Sequence, residues 1–192
     1  MKVVAFNGSP RVGGNTDQSI RIIFEELEKE GIETELVQLG GAKVFGCLAC
    51  GKCRQIKNGH CVRQDDNMND FIDKAAEADG IIIGSPTYFS NVSTEVKAFI
   101  DRCGYVNRSN GGDILRGKPG AAVAVARRAG ANVVYSAINY FFGIAEMPIV
   151  SSSYWNMTLS RDLGDVQKDE EAINVFRTLG KNMAFLLKKL DQ

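Results

Sequence analysis

The 192-residue chain has no net charge, with 23 Lys and Arg against 23 Asp and Glu. It therefore lacks the basic footprint that a phosphate backbone or an anionic membrane surface attracts, and neither nucleic acid nor membrane is expected as a partner. No stretch approaches the ~20 consecutive apolar residues of a membrane span. The opening MKVVAFNGSP shows no charged leader followed by a longer apolar region and a small-residue cleavage site, so a cytoplasmic protein is expected. Internal repeats and low-complexity linkers are missing as well. Histidine is scarce, with His60 standing alone, and no general acid, base or nucleophile stands out. No catalytic side chain is assigned.

What the chain does have is apolar residues, 44% of the total. That is enough to bury a full-sized core without disulfide staples, and a single domain over residues 1–192 is expected. Short β-rich runs alternate with helical patterns along it. Strands are expected at KVVAFN (2–7), IETELVQL (32–39), GIIIGS (80–85), GAAVAVA (120–126) and MPIVSSS (147–153). Helices are expected from about Asn15 to Glu30, from Asp65, over STEVKAFIDRCGYV, over ANVVYSAINYFFGIA, and in a closing amphipathic segment. Parallel strands need crossovers, and helical crossovers cover both faces of a sheet. The expected architecture is a three-layer, doubly wound α/β sandwich with the flavodoxin-like strand order 2-1-3-4-5. In such a sheet, ligands bind beyond the carboxyl ends of the strands at the switch point.

The loop after the first strand, NGSPRVGGNTD (7–17), holds three glycines among hydroxyl and amide side chains. Small residues let backbone N–H groups converge, and a helix start adds partial positive charge. Ser9, Asn15 and Thr16 can donate to phosphate oxygens, and Arg11 adds charge. The pattern matches neither the nucleoside-triphosphate loop nor the dinucleotide fingerprint, so a phosphomonoester suits it better; a plain βα turn is the alternative. After the third strand, GSPTYFSNVS (84–93) carries adjacent aromatics. Tyr88 and Phe89 can flank a planar ring while backbone groups of Pro86, Thr87 and Asn91 bond its polar edge, as a flavin requires. Alternatively, both aromatics cover a helix end. ARRAG (126–130) follows the fourth strand, where Arg127 and Arg128 are either a solvated pair or a site for the phosphate of a nicotinamide donor.

GSPRVGGNT, GSPTYFSNVSTEVKAFIDR and the cysteine-bearing segment that follows the second strand, in this order, resemble the flavodoxin-fold NAD(P)H-dependent FMN reductases, and within them the iron-sulfur flavoproteins. The resemblance runs through YWN (154–156) to the last helix. It implies FMN at the switch point. Ser9, Arg11, Asn15 and Thr16 would hold its phosphate, Pro86, Thr87, Tyr88, Phe89 and Asn91 would lie near the ring, and Ala126, Arg127 and Gly130 would close the third side. It also implies a homodimer or homotetramer in which a neighbouring subunit completes the flavin site.

Four of the five cysteines fall within a cysteine-rich insertion at about 45–63. Cys47, Cys50, Cys53 and Cys61 are spaced C-x2-C-x2-C-x7-C. Three thiolates two residues apart can wrap a cube corner by corner, with the fourth arriving from a short loop, which suits a [4Fe–4S] cluster. Zinc more often takes two knuckles joined by a longer loop. Reduced thiols and a redox disulfide remain alternatives. His60 adjoins Cys61 as a solvated neighbour or a ligand, and Cys103 is read as a small buried apolar residue. The expected function is an FMN-dependent oxidoreductase relaying electrons between the cluster and the flavin, with a small-molecule donor or acceptor, or a carrier such as ferredoxin, as partner. Without a cluster, NAD(P)H-driven reduction of FMN or quinones is expected; a non-enzymatic redox-sensing or zinc-binding module is the alternative from another class.

Overall fold

A computed structural model describes residues 1–191. In chain order the elements are β1 (Lys2–Asn7), α1 (Asn15–Lys29), β2 (Glu33–Gln38), α2 (Lys52–Ile56), α3 (Met68–Glu77), β3 (Gly80–Pro86), α4 (Thr94–Ser109), β4 (Gly120–Ala126), α5 (Ala131–Ile144), β5 (Met157–Leu159) and α6 (Glu170–Leu190). All five strands are parallel, in the order β2-β1-β3-β4-β5. This is the flavodoxin-like arrangement that the alternation of elements implies.

The central strands are apolar on both faces because both faces are covered. Successive strand residues point to opposite sides, so each strand feeds two cores. Val4, Phe6, Ile81, Ile83, Ala122 and Ala124 join the core under α3, α4 and α5. Val3, Ala5, Ile82, Ala121 and Val123 join the core under α1 and α6. In α1 the buried Ile20, Ile23, Phe24 and Leu27 recur at helical spacing and put one stripe on the sheet. Each such side chain contributes roughly 1.5–3 kcal/mol of burial. Phe6 of β1 and Phe99 of α4 meet at 4.4 Å between ring centroids, and Phe99 makes an edge contact with Phe141 of α5.

α4 starts as its sequence implies. The Ser93 hydroxyl accepts from Val96 N at 3.4 Å, and Ser93 N donates to Ser85 Oγ at 2.9 Å, fastening the helix start to β3. The helix expected from Asp65 begins three residues later, because the Asp66 carboxylate lies ahead of it and accepts from Met68 N at 3.3 Å.

The fifth strand differs from its expected place at 147–153. Residues there pair with β4 only at an isolated bridge between Ile149 and Gly120, supported by Val150 N donating to Gly120 O at 2.8 Å. Pro148 has no N–H to continue a ladder. The chain then leaves the sheet. Ser152 Oγ donates to Tyr154 O at 2.7 Å and bonds Asn156 Oδ1 at 2.6 Å, shaping a loop that returns as β5 opposite Ala124, Val125 and Ala126.

Phe99 is fully buried between two rings. Phe99→Ala is expected to cost about 3–5 kcal/mol, read as a lower urea midpoint with an unchanged slope; an unchanged midpoint would contradict the packing described.

Candidate functional site

β1 is bonded to β2 on one side and β3 on the other, so the loops after β1 and β3 diverge and leave a crevice at the carboxyl edge. The β1 loop is held tightly there. Gly8 N donates to Gly84 O at 2.7 Å, and a Cβ on Gly8 would lie 2.3 Å from Val96 Cγ2, so no larger residue fits. The buried Asn7 accepts from Ser9 N at 3.0 Å through Oδ1 and donates to Gln38 Oε1 at 3.0 Å; Gln38 in turn donates to Ser9 O at 2.6 Å and Gly40 O at 2.7 Å. Ser9 Oγ accepts from Arg11 N at 3.2 Å, which leaves its own proton for another acceptor. α1 begins after Gly14 without a side-chain cap, so its first N–H groups are available to an anion.

A cavity of about 360 Å³ opens over this turn. Ser9, Arg11, Asn15 and Thr16 line it from the first loop, Pro86, Thr87 and Tyr88 from the loop after β3, and Arg127 from the loop after β4. Its size lies within the usual range for small-molecule sites. Thr87 Oγ1 is buried with no hydrogen-bond partner among the described residues, an orphan donor and acceptor that a ligand would satisfy. Arg11, Arg127 and Arg161 make the wall cationic, with Asp162 opposing them.

Four residues expected here are not on that wall. Tyr88 and Asn91 close a two-residue hairpin by exchanging backbone bonds of 2.9 and 3.0 Å, and Phe89 and Ser90 at its tip both take positive φ, +48° and +58°. Phe89 is thereby carried out of the cavity and is fully exposed. Asn91 faces a separate shallow depression against α5. Ala126 is buried in the sheet and offers its carbonyl to Ser160 N at 2.8 Å. Gly130 sits at the start of α5 against Ser90, where an added Cβ would lie 2.8 Å from Ser90 Oγ.

Asn15 lines the cavity, but its amide is committed elsewhere. Nδ2 donates to Asp162 O at 2.8 Å, and Oδ1 accepts from Gly164 N at 3.0 Å and Val166 N at 3.4 Å. Asn15 thus holds the turn after β5 over the mouth. That turn adds Ser160, Arg161 and Asp162 to the wall, residues hidden from the sequence because they depend on the true position of β5.

The four clustered cysteines line a second cavity. It encloses about 30 Å³, and about 420 Å³ counting the space open at its mouth. Cys47 and Cys50 are exposed, Cys61 half-buried and Cys53 buried. As they stand, no three Cys, His, Asp or Glu among the described residues converge as they would around one ion. A cubane spreads its four thiolates over a wider span than a single metal ion does, and a backbone donor already addresses one sulfur. Ala49 N donates to Cys47 Sγ at 3.4 Å, while Ser109 Oγ lies 3.6 Å from Cys53 Sγ with its own proton given to Tyr105 O at 2.7 Å. A soft four-sulfur donor set around one cavity fits an iron-sulfur cluster better than a hard cation. His60 turns away and bonds Asp73 at 2.7 Å. Cys103 is wholly buried, and burial pushes its thiol up to about 12.

The segment is pinned from beneath by Arg102 of α4, which is 1% exposed. The guanidinium pairs with Asp66 and donates to Phe45 O at 3.1 Å and Arg63 O at 3.2 Å. Asn69 adds bonds to Cys61 N and Cys61 O at 2.9 and 3.0 Å. Burial would raise the Asp66 pKa, but Arg102 and the Phe45 and Met68 amides overcome it and hold it below the ordinary carboxylate value.

The sequence model of the NADPH-dependent FMN reductase family matches residues 1–162. An iron-sulfur flavoprotein of Methanocaldococcus jannaschii is 35% identical over 199 residues, covering all of both chains. Another, of Archaeoglobus fulgidus, is 34% identical over 195 residues and spans 95% of this chain and 94% of its own. Among solved structures, an archaeal flavodoxin superposes with a TM-score of 0.63 at 18% identity, over 98% of this chain and 99% of that one. That likeness is one of fold.

The lowered Asp66 pKa means that its stabilisation is present above the unfolded carboxylate value and lost as pH falls through the folded one. Denaturation measured from neutral to acid pH is expected to show the wild type losing its advantage over Asp66→Asn below about pH 4. A constant gap between the two would contradict an ionised Asp66.

Proposed function

The chain belongs to the NADPH-dependent FMN reductase family and, within it, to the iron-sulfur flavoproteins, and we propose that it relays electrons between a [4Fe–4S] cluster on Cys47, Cys50, Cys53 and Cys61 and FMN in the switch-point cavity. It is an FMN-dependent oxidoreductase. One observation carries the relay: a single helix starts beside the flavin loop and enters the cysteine cavity. α4 starts at Ser93, bonded to the strand that ends at the flavin loop, and brings Arg102, Tyr105 and Val106 into the cysteine cavity, with Arg102 about 12 Å along its axis from Thr94 at 1.5 Å per residue.

When bound, FMN supplies two-electron hydride chemistry and the cluster supplies one-electron steps. The chain's own residues bind, orient and exclude. Ser9 Oγ, the Thr16 hydroxyl, the uncapped first turn of α1 and Arg11 hold the phosphate. Pro86 and Tyr88 bound the ring, and Thr87 Oγ1 finds its missing partner on the ring's polar edge. Arg127 and Arg161 stand at the mouth, where the phosphate of a nicotinamide donor would arrive. Asn15 keeps the 160–166 turn closed against water. In the cysteine segment, Ala49 N holds a sulfur lone pair of Cys47 in place.

The partner in one-electron exchange is a carrier protein such as ferredoxin, reaching the exposed Cys47 and Cys50. A second copy of the chain would cover Phe89 together with Val133, Tyr140 and Ile144 of α5, all exposed. A cluster-free, nicotinamide-driven reductase of FMN or quinones is the second reading, favoured by one feature: the flavin cavity shares no wall residue with the cysteine cavity.

Two variants separate the sites. Arg11→Ala with Thr16→Val is expected to raise the Kd for FMN about 10–100-fold, as loss of charge-assisted hydrogen bonds implies, with iron content unchanged. Cys50→Ala is expected to lose iron and sulfide in anaerobic preparations while keeping FMN affinity. Full iron retention in Cys50→Ala would remove the relay.

A further inference from the structure

One wall of the cysteine cavity is built by α4. Arg102 forms it from below, almost fully buried, with its Nη1 and Nη2 occupied by Asp66 and the carbonyls of Phe45 and Arg63. Its Nε is buried and has no partner among the described residues. An N–H without an acceptor at that depth is rare in folded proteins. Holding two loop carbonyls takes no more than a neutral amide; a guanidinium with a spare donor exceeds that task. A guanidinium keeps its proton in proteins, and this one is paired with the buried Asp66 carboxylate. The charge is therefore permanent, beside one of the four thiols, in a region where screening by water is weak.

We propose that Arg102 is a positioning residue for the reduction potential of the group held by Cys47, Cys50, Cys53 and Cys61, with Asp66 as its counterweight. This rests on the reading that those cysteines hold an iron-sulfur cluster. Reduction adds one electron from a one-electron carrier protein; no bond forms or breaks, and the group gains one negative charge. A fixed cation beside it stabilises the reduced state and raises the potential, and a nearby carboxylate lowers it. Arg102 and Asp66 thus act in opposite directions on the potential, although both tie down the same loop.

The test uses anaerobically reconstituted full-length protein, assayed for iron, sulfide and FMN and then titrated potentiometrically with the cluster followed by electron paramagnetic resonance. Arg102→Gln is expected to lower the midpoint by at least about 59 mV, a tenfold change in a one-electron equilibrium. Arg102→Lys, which keeps the charge, is expected to lower it less. Asp66→Asn is expected to raise it. A merely structural role would alter loading without opposite shifts. If Arg102→Gln takes up no cluster, Asp66→Asn decides: an upward shift supports the assignment, and an unchanged or lower potential overturns it. Loaded variants with the wild-type potential, or with shifts of one sign, overturn the role of Arg102 and leave the relay standing. A wild-type protein that takes up no iron or sulfide under these conditions overturns both.

Discussion

The position of β1, hydrogen-bonded to β2 on one side and β3 on the other, is the constraint on which the site depends. Chains leaving β1 and β3 must cross to opposite faces of the sheet, and the gap between them is the crevice. Its floor is rigid because the backbone there is closely packed. Gly8 lies against Val96 and β3, a Cβ on Gly40 would lie 2.3 Å from the Ser9 carbonyl carbon, and Asn7 and Gln38 satisfy each other and the turn. A turn held this way presents its N–H groups before any ligand arrives, which spares the ordering cost of binding. The strain lies nearby, at Phe89 and Ser90, two non-glycine residues in the left-handed region.

The cysteine segment solves a different problem. Residues 45–63 contain too little apolar surface to pack as a layer of their own, so α3 and α4 hold them through buried polar contacts. The Arg102–Asp66 pair fixes Phe45 and Arg63 at either end, and Asn69 clamps Cys61. Removing one partner of such a pair costs about 3–5 kcal/mol because the other charge is left buried. Arg63 also lies 3.9 Å from the Phe45 ring centroid, closing the two ends on each other. The loop is fixed at its roots while Cys47 and Cys50 stay at the surface.

Much of the fold was legible in the sequence because the two cores write themselves into each strand as apolar residues on both faces, as in GIIIGS and GAAVAVA. The first-loop residues Ser9, Arg11 and Thr16 were legible because a glycine-rich exit from a buried strand has few uses. β5 was not. MPIVSSS reads as a strand by composition, but Pro148 and the Ser152 loop interrupt it, and the three residues that pair, Met157–Leu159, are too short to show an alternation. With β5 misplaced, Ser160, Arg161 and Asp162 had no visible reason to reach the cavity. Phe89 was expected at the ring because composition cannot show that a hairpin turns it outward. The role of Arg102 was invisible too, since a lone arginine in an amphipathic helix ordinarily faces solvent.

The most direct test of the central claim, that the turn after β1 grips a phosphate joined to the ring in the crevice, is a comparison of FMN with riboflavin by fluorescence titration of the apoprotein. Riboflavin presents the same ring without the phosphate. FMN is expected to bind about a hundredfold more tightly or better, since the uncapped helix start and Arg11 act only on the anion. Equal affinity for the two would contradict the account.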